Sequence, residues 1–133
     1  MKVWYGFGTE HSMNLVMIGR FKDAAAAGAV KKTIEKLASA VQLELDGGRL
    51  TIGERDDRYS DEILEVLHEL NIHNVWPFEL EQFVYDVNVR REDDSIVITT
   101  DESDVQALLK VLLDGGARVE VYSAHDYPDT AEK

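Results

Sequence analysis

The sequence predicts an α+β domain, a ferredoxin-like split βαβ antiparallel sheet with two helices on one face and an inserted helical segment. Three observations carry this. Strand–helix–strand occurs twice along the 133 residues. The joint from helix to strand is written twice in similar letters, Leu45-Asp46-Gly47-Gly48-Arg49-Leu50 and Leu113-Asp114-Gly115-Gly116-Ala117-Arg118. Between the halves, about residues 56–82 carry an apolar stripe of their own. Residues 1–124 read as one domain and 125–133 as a polar tail.

The elements follow in order. Residues 2–7 predict a strand, turned by Gly6-Phe7-Gly8-Thr9 in a hairpin toward residues 13–21, MNLVMIGRF, an apolar run that reads as a strand buried on both faces. From Asp23 the period changes. Ala26, Val30, Ile34, Leu37, Val41 and Leu45 lay one stripe along a helix that Asp23 caps and Asp46-Gly47-Gly48 stops. Residues 49–54 predict a short strand. Ser60 caps a second helix over 61–71, with Asp61 and Glu62 facing the positive end of its dipole and Ile63, Val66, Leu67 and Leu70 as its stripe. Val75-Trp76-Pro77-Phe78 reads as an apolar connector. Alternation over 83–91 predicts a strand, which Glu92-Asp93-Asp94 turns into a second strand over 95–100. Ser103 and Gln106 predict a capping box before Val105, Leu108, Leu109 and Leu112. Gly115-Gly116 ends that helix, and residues 117–123 predict the last strand. The inserted segment is expected to bury its stripe on the second sheet face or against an edge.

Composition narrows the function classes. There are 26 acidic and 14 basic residues, a net charge of −12 and no cysteine. The first disfavours phosphate backbones and anionic membranes by long-range repulsion, so neither nucleic acid nor membrane is an expected partner. The second excludes disulfides, thiol nucleophiles and thiolate zinc sites. No cofactor is expected. The opening Met1-Lys2-Val3-Trp4-Tyr5 lacks the apolar core of a secretory signal, and no run is long enough to span a bilayer, so a cytosolic protein is expected.

Several motifs invite chemistry. Gly6-Phe7-Gly8 begins like a dinucleotide loop, but His11 stands where the third glycine belongs and no helix follows, so a hairpin turn is the better reading. His68-Glu69 with His73 imitates a zincin helix. A zincin needs its second histidine four residues on; five residues place His73 about 140° around a continuing helix, which excludes a metalloprotease. Glu10, His11, Ser12 and Asn14 form the richest constellation, together with His125 and Asp126. With the first and last strands as antiparallel neighbours, these groups share one rim. A strand over 95–100 running parallel to 13–21 adds Asp93 and Asp94 there. Imidazoles and carboxylates suit a divalent ion or an acid–base pair; the plainer reading is an abundance of acidic groups and two histidines that carry no site, and no metal is assigned. Asp86, Asn88, Arg90, Arg118, Glu120 and Tyr122 point away from the two main helices and form the open sheet face, either a solvated surface with cross-strand ion pairs or a surface for a ligand or second copy.

The opening stretch Gly6-Phe7-Gly8-Thr9-Glu10-His11-Ser12-Met13-Asn14-Leu15, running into Ile18-Gly19-Arg20-Phe21-Lys22, resembles a family of small uncharacterised bacterial proteins. That resemblance implies a bacterial, cytosolic single-domain protein and brings no activity. The function expected is that of an acidic cytosolic binding or regulatory protein acting through a protein partner or as a homodimer. A basic partner suits the charge, and an immunity or inhibitor role is the sharpest version. The alternative is a metal-assisted enzyme using the rim with Glu10, His11 and His125.

Overall fold

Side chains alternate across a strand, so the register of the sheet decides which residues meet the helices. The computed structural model describes residues 2–3, 15–50, 59–85, 87–100 and 105–123, residues 2–3 as backbone alone. Its elements are β1 (Lys2–Val3), β2 (Leu15–Arg20), α1 (Ala24–Asp46), α2 (Asp61–Glu69), a 3-10 helix (Pro77–Val84), β3 (Val87–Glu92), β4 (Ser95–Thr100), α3 (Gln106–Asp114) and β5 (Arg118–Ser123). They form an α+β fold whose sheet has the order β1-β5-β2-β4-β3. β5, β2, β4 and β3 are antiparallel neighbours, and β1 joins β5 in parallel.

Met17 stands opposite Ile98 and Val121, and this face packs on Val30, Ile34, Leu37 and Val41 of α1 and Leu108 and Leu112 of α3. Ile18 stands opposite Val97 and Glu120 on the other face, where Val16, Ile18 and Val97 are buried against Tyr122. β2 is therefore buried on both faces, and the second face is closed at its centre rather than open.

α1 begins where Asp23 accepts the Ala26 N–H at 2.8 Å. Its buried stripe starts at Ala27 and ends on Glu44, one residue inside the expected Ala26 and Leu45. The repeated joints close alike. Gly47 and Gly115 keep right-handed backbones, while Gly48 and Gly116 take φ of 74° and 92°, the left-handed region that favours glycine. Arg49 N–H donates to Glu44 C=O and Ala117 N–H to Leu112 C=O, at 2.9 and 3.1 Å. The joints diverge afterwards: Ala117 enters β5, whereas Arg49 and Leu50 lie outside any strand and residues 51–54 lie outside the described residues.

Other expectations are corrected. β5 stands between β1 and β2, so those two strands are not a hairpin pair. Phe83 is not in a strand; it is buried in the 3-10 helix, and β3 starts only at Val87. Alternation of apolar residues over a few positions does not separate a strand from a buried helical turn. The inserted segment buries Ile63, Leu67, Ile72, Val75, Leu80 and Phe83 in the same core as α1 and α3, on the helical side of the sheet. α3 has no side-chain cap of its own. Gln82 replaces the expected box: its Oε1 accepts the Ala107 N–H at 2.8 Å and its Nε2 donates to Gln106 Oε1 at 3.0 Å. Ser103 lies outside the described residues.

Candidate functional site

The register bears on the proposed rim. Leu15 and Ser123 are cross-strand partners at one end of the sheet. Glu10, His11, Ser12, Asn14, His125 and Asp126 themselves lie outside the described residues. Asp93 and Asp94 do not belong to that rim. β4 runs antiparallel to β2, with Ser95 opposite Arg20, and Phe21 N–H donates to Asp94 C=O at 2.8 Å. The two aspartates therefore sit at the far end of the sheet. The expected parallel pairing was inconsistent with a split βαβ sheet, in which the strand after the hairpin runs back along the first.

On the second sheet face, Asn88 and Arg118 are exposed and Arg90, Glu120 and Tyr122 half-buried; Asp86 lies outside the described residues. Tyr122 donates to Glu120 at 2.8 Å, Arg20 Nε lies 3.6 Å from Glu120, and Arg90 lies 3.6 Å from Glu92. These groups form a polar margin around the buried Val16, Ile18 and Val97.

Two buried carboxylates brace the inserted segment. Glu44, 3% exposed, accepts the Ser60 hydroxyl and the Arg49 Nε–H, the latter at 2.7 Å. That hydrogen bond, then the Glu44 charge, raises the Arg49 pKa above its ordinary value. Ser60 also accepts the Ile63 N–H at 3.2 Å, so one hydroxyl links α1 to the start of α2. Glu79, 4% exposed, accepts Lys110 Nζ at 2.6 Å and the Trp76 N–H at 2.9 Å, while Trp76 C=O accepts the Glu79 N–H. Lys110 also donates to Asn74 C=O, and Asn74 to Asp114. Tyr59 donates to Val75 C=O. Both carboxylates have partners that explain them as supports.

What these supports hold is a presented pair of aromatics. Pro77 sets the first turn of the 3-10 helix, as proline does at a helix start. Glu79 fixes that turn from inside, and Pro77 is buried. Trp76 and Phe78, on either side of it, are 60% and 41% exposed. Leu113 is also exposed and lies three residues after Lys110, close to its side of α3. Sequence reasoning reads Trp76 and Phe78 as a connector. The signal for more is aromatic-Pro-aromatic-Glu, in which Pro at the first helical position and Glu two residues later organise a turn. A separate open groove between α1 and the 3-10 helix is lined by Ala38, Ser39, Gln42, Leu43, Phe83 and Val84.

Among the described residues, no group of three or more His, Asp or Glu side chains is placed to hold a metal ion. No described helix is long and apolar enough to cross a membrane. The chain belongs to a family of unknown function (DUF6375), whose model matches residues 1–133. No curated protein and no solved structure matches the chain.

Proposed function

We propose that this protein is an acidic binding protein that acts through a protein partner, with Trp76 and Phe78 as its anchors. The observation that carries this is the exposure of two large aromatics on a turn already held by Pro77, Glu79 and Lys110. Interfaces concentrate their energy in a few aromatic residues, and a side chain that is ordered before binding loses less entropy on association. The net charge of −12 favours a basic partner, of which an immunity or inhibitor pairing is the sharpest form. A bacterial and cytosolic setting is part of this reading, supported by the resemblance of the opening segment. So is a ferredoxin-like split βαβ sheet, which the order β5-β2-β4-β3 with alternating directions supports.

Affinity capture with the wild-type chain and with Trp76→Ala/Phe78→Ala tests the proposal. The expected result is a defined protein retained by the wild type and lost from the double variant, both chains having the same circular dichroism spectrum. Identical retention by both chains contradicts it. Light scattering of the free chain separates a second copy, which makes the mass depend on concentration, from a different partner.

A further inference from the structure

The two histidines that a continuing helix separates are brought together by the way α2 ends. The last helical residue is Glu69, and Leu70 caps it. Asn71 then takes a left-handed φ of 58°, which asparagine tolerates better than most residues. Asn71 N–H donates to His68 C=O and Ile72 N–H to Leu67 C=O, at 3.1 and 2.9 Å. Ile72 and Val75 are buried, which anchors the returning chain. His73 thereby comes back over the helix end. Its ring centroid is 6.2 Å from that of His68, with the planes at 84°.

We propose that His68 and His73 form a two-imidazole site for a late first-row divalent ion: Zn²⁺, Ni²⁺ or Cu²⁺. The spacing is within reach of it. An ion bound through nitrogens at ~2.0–2.1 Å lies about 3.2 Å from each ring centroid, so tetrahedral ligands stand about 5.2 Å apart, and rotation of the two exposed side chains brings the rings from 6.2 Å to that distance. The tautomer suits it as well. Asn71 Oδ1 lies 2.8 Å from His73 Nε2, and a carboxamide oxygen only accepts. In the tautomer that donates Nε2–H to this oxygen, Nδ1 keeps the lone pair that a metal takes. A partner that orients a ligating ring through its other nitrogen is the usual support of a histidine metal site. Both histidines are exposed, so an ion reaches them without any opening of the fold, and the net charge of −12 raises the local concentration of cations. Two imidazoles select borderline transition ions over Mg²⁺ and Ca²⁺, which prefer oxygen ligands. Among the described residues no third donor completes a cage. This does not restore a zincin: His68 and His73 lie on either side of a chain reversal instead of one helix face. The proposal does not rest on the Trp76–Phe78 reading.

The test is a calorimetric titration of the tag-free full chain with ZnCl₂ and NiCl₂, with MgCl₂ as control, on the wild type, His68→Ala, His73→Ala, Asn71→Gly and His11→Ala/His125→Ala. One saturable Zn²⁺ equivalent is expected, weakened at least about tenfold in either single histidine variant. The His11→Ala/His125→Ala chain, which removes the only other histidines, is expected to bind as the wild type does. Asn71→Gly keeps the left-handed backbone and is expected to bind about tenfold more weakly through loss of ring orientation. On the wild type, Zn²⁺ is expected to shift the imidazole resonances of His68 and His73, a readout that needs no variant to fold. No saturable uptake, uptake that survives both single histidine variants, or uptake lost only with His11 and His125 overturns the proposal. An unchanged affinity in Asn71→Gly overturns the role given to the amide.

Discussion

Tyr59 shows how one side chain ties the inserted segment to conditions outside it. Its hydroxyl donates to Val75 C=O, one residue before Trp76. Burial disfavours the phenolate, and the Glu79 charge adds to that, so its pKa lies above the ordinary 10.0. A folded-state pKa raised above the unfolded one contributes stability that is fully present below the unfolded value and is lost as pH rises through the folded value. Urea unfolding of the wild type is therefore expected to show falling stability above pH 10.0, and the Phe variant is expected to lack that component. At neutral pH, Tyr59→Phe loses one hydrogen bond, about 0.5–1.5 kcal/mol. Stability curves that stay parallel from pH 8 to 11, as a range of roughly three units around the phenol's titration, contradict the assignment. Sequence alone does not reveal Tyr59 or Glu44, because their contacts with Val75 and Ser60 each join residues 16 positions apart. Ser60 is the exception: its place before Asp61 and Glu62 marks it as a cap, and it is one.

At the level of elements, α1 was the most legible. The helix runs for more than six turns, its buried stripe for about five, and it has a polar cap and a glycine stop at its ends. Ile34, 4% exposed, lies in the middle of the buried stripe. Ile34→Ala is expected to cost ~2–5 kcal/mol in chemical denaturation, and a loss near zero contradicts the packing. The twin joints separate local from tertiary effects. A Cβ on Gly115 collides with the core side chain of Val30, while one on Gly47 meets only the guanidinium of the exposed Arg49, at 2.8 Å. Gly115→Ala is thus expected to destabilise by about 1–3 kcal/mol, the range for overpacking, and Gly47→Ala by distinctly less. Equal losses contradict the account. The shorter elements were harder to read. Residues 83–85 alternate like a strand, yet the 3-10 helix buries Phe83 through contacts with α1 and α3 that no local pattern encodes. The capping-box letters at Ser103 and Gln106 were likewise overridden, since Gln82 reaches the start of α3 from elsewhere in the chain.

For the whole molecule, the doubled strand–helix–strand pattern made legible the mixed α+β class and the antiparallel pairing of β2 with β5, but not the direction of β4 or the place of β1, which pairs only two residues. The direction of β4 decided which charged groups share an end, and it separates Asp93 and Asp94 from the expected rim. The exposed aromatics were hidden for a different reason: hydrophobicity predicts burial, and only the packed structure shows which apolar residues escape it. With a net charge of −12, association with a basic partner is expected to weaken steeply as salt is added, because screening shortens the reach of the field. Retention unaffected between low and high salt assigns the contact to apolar surface alone.

The central claim, that Trp76 is a binding anchor, is most directly tested by its own fluorescence. The chain has two tryptophans, so Trp4→Phe leaves Trp76 as the sole reporter. In the free protein its emission is expected to be that of a solvent-exposed indole and to be readily quenched by acrylamide. When the captured partner is added, the emission is expected to move to shorter wavelength and the quenching to fall together with complex formation. A complex that forms at full stoichiometry while the emission and quenching of Trp76 stay unchanged contradicts the claim.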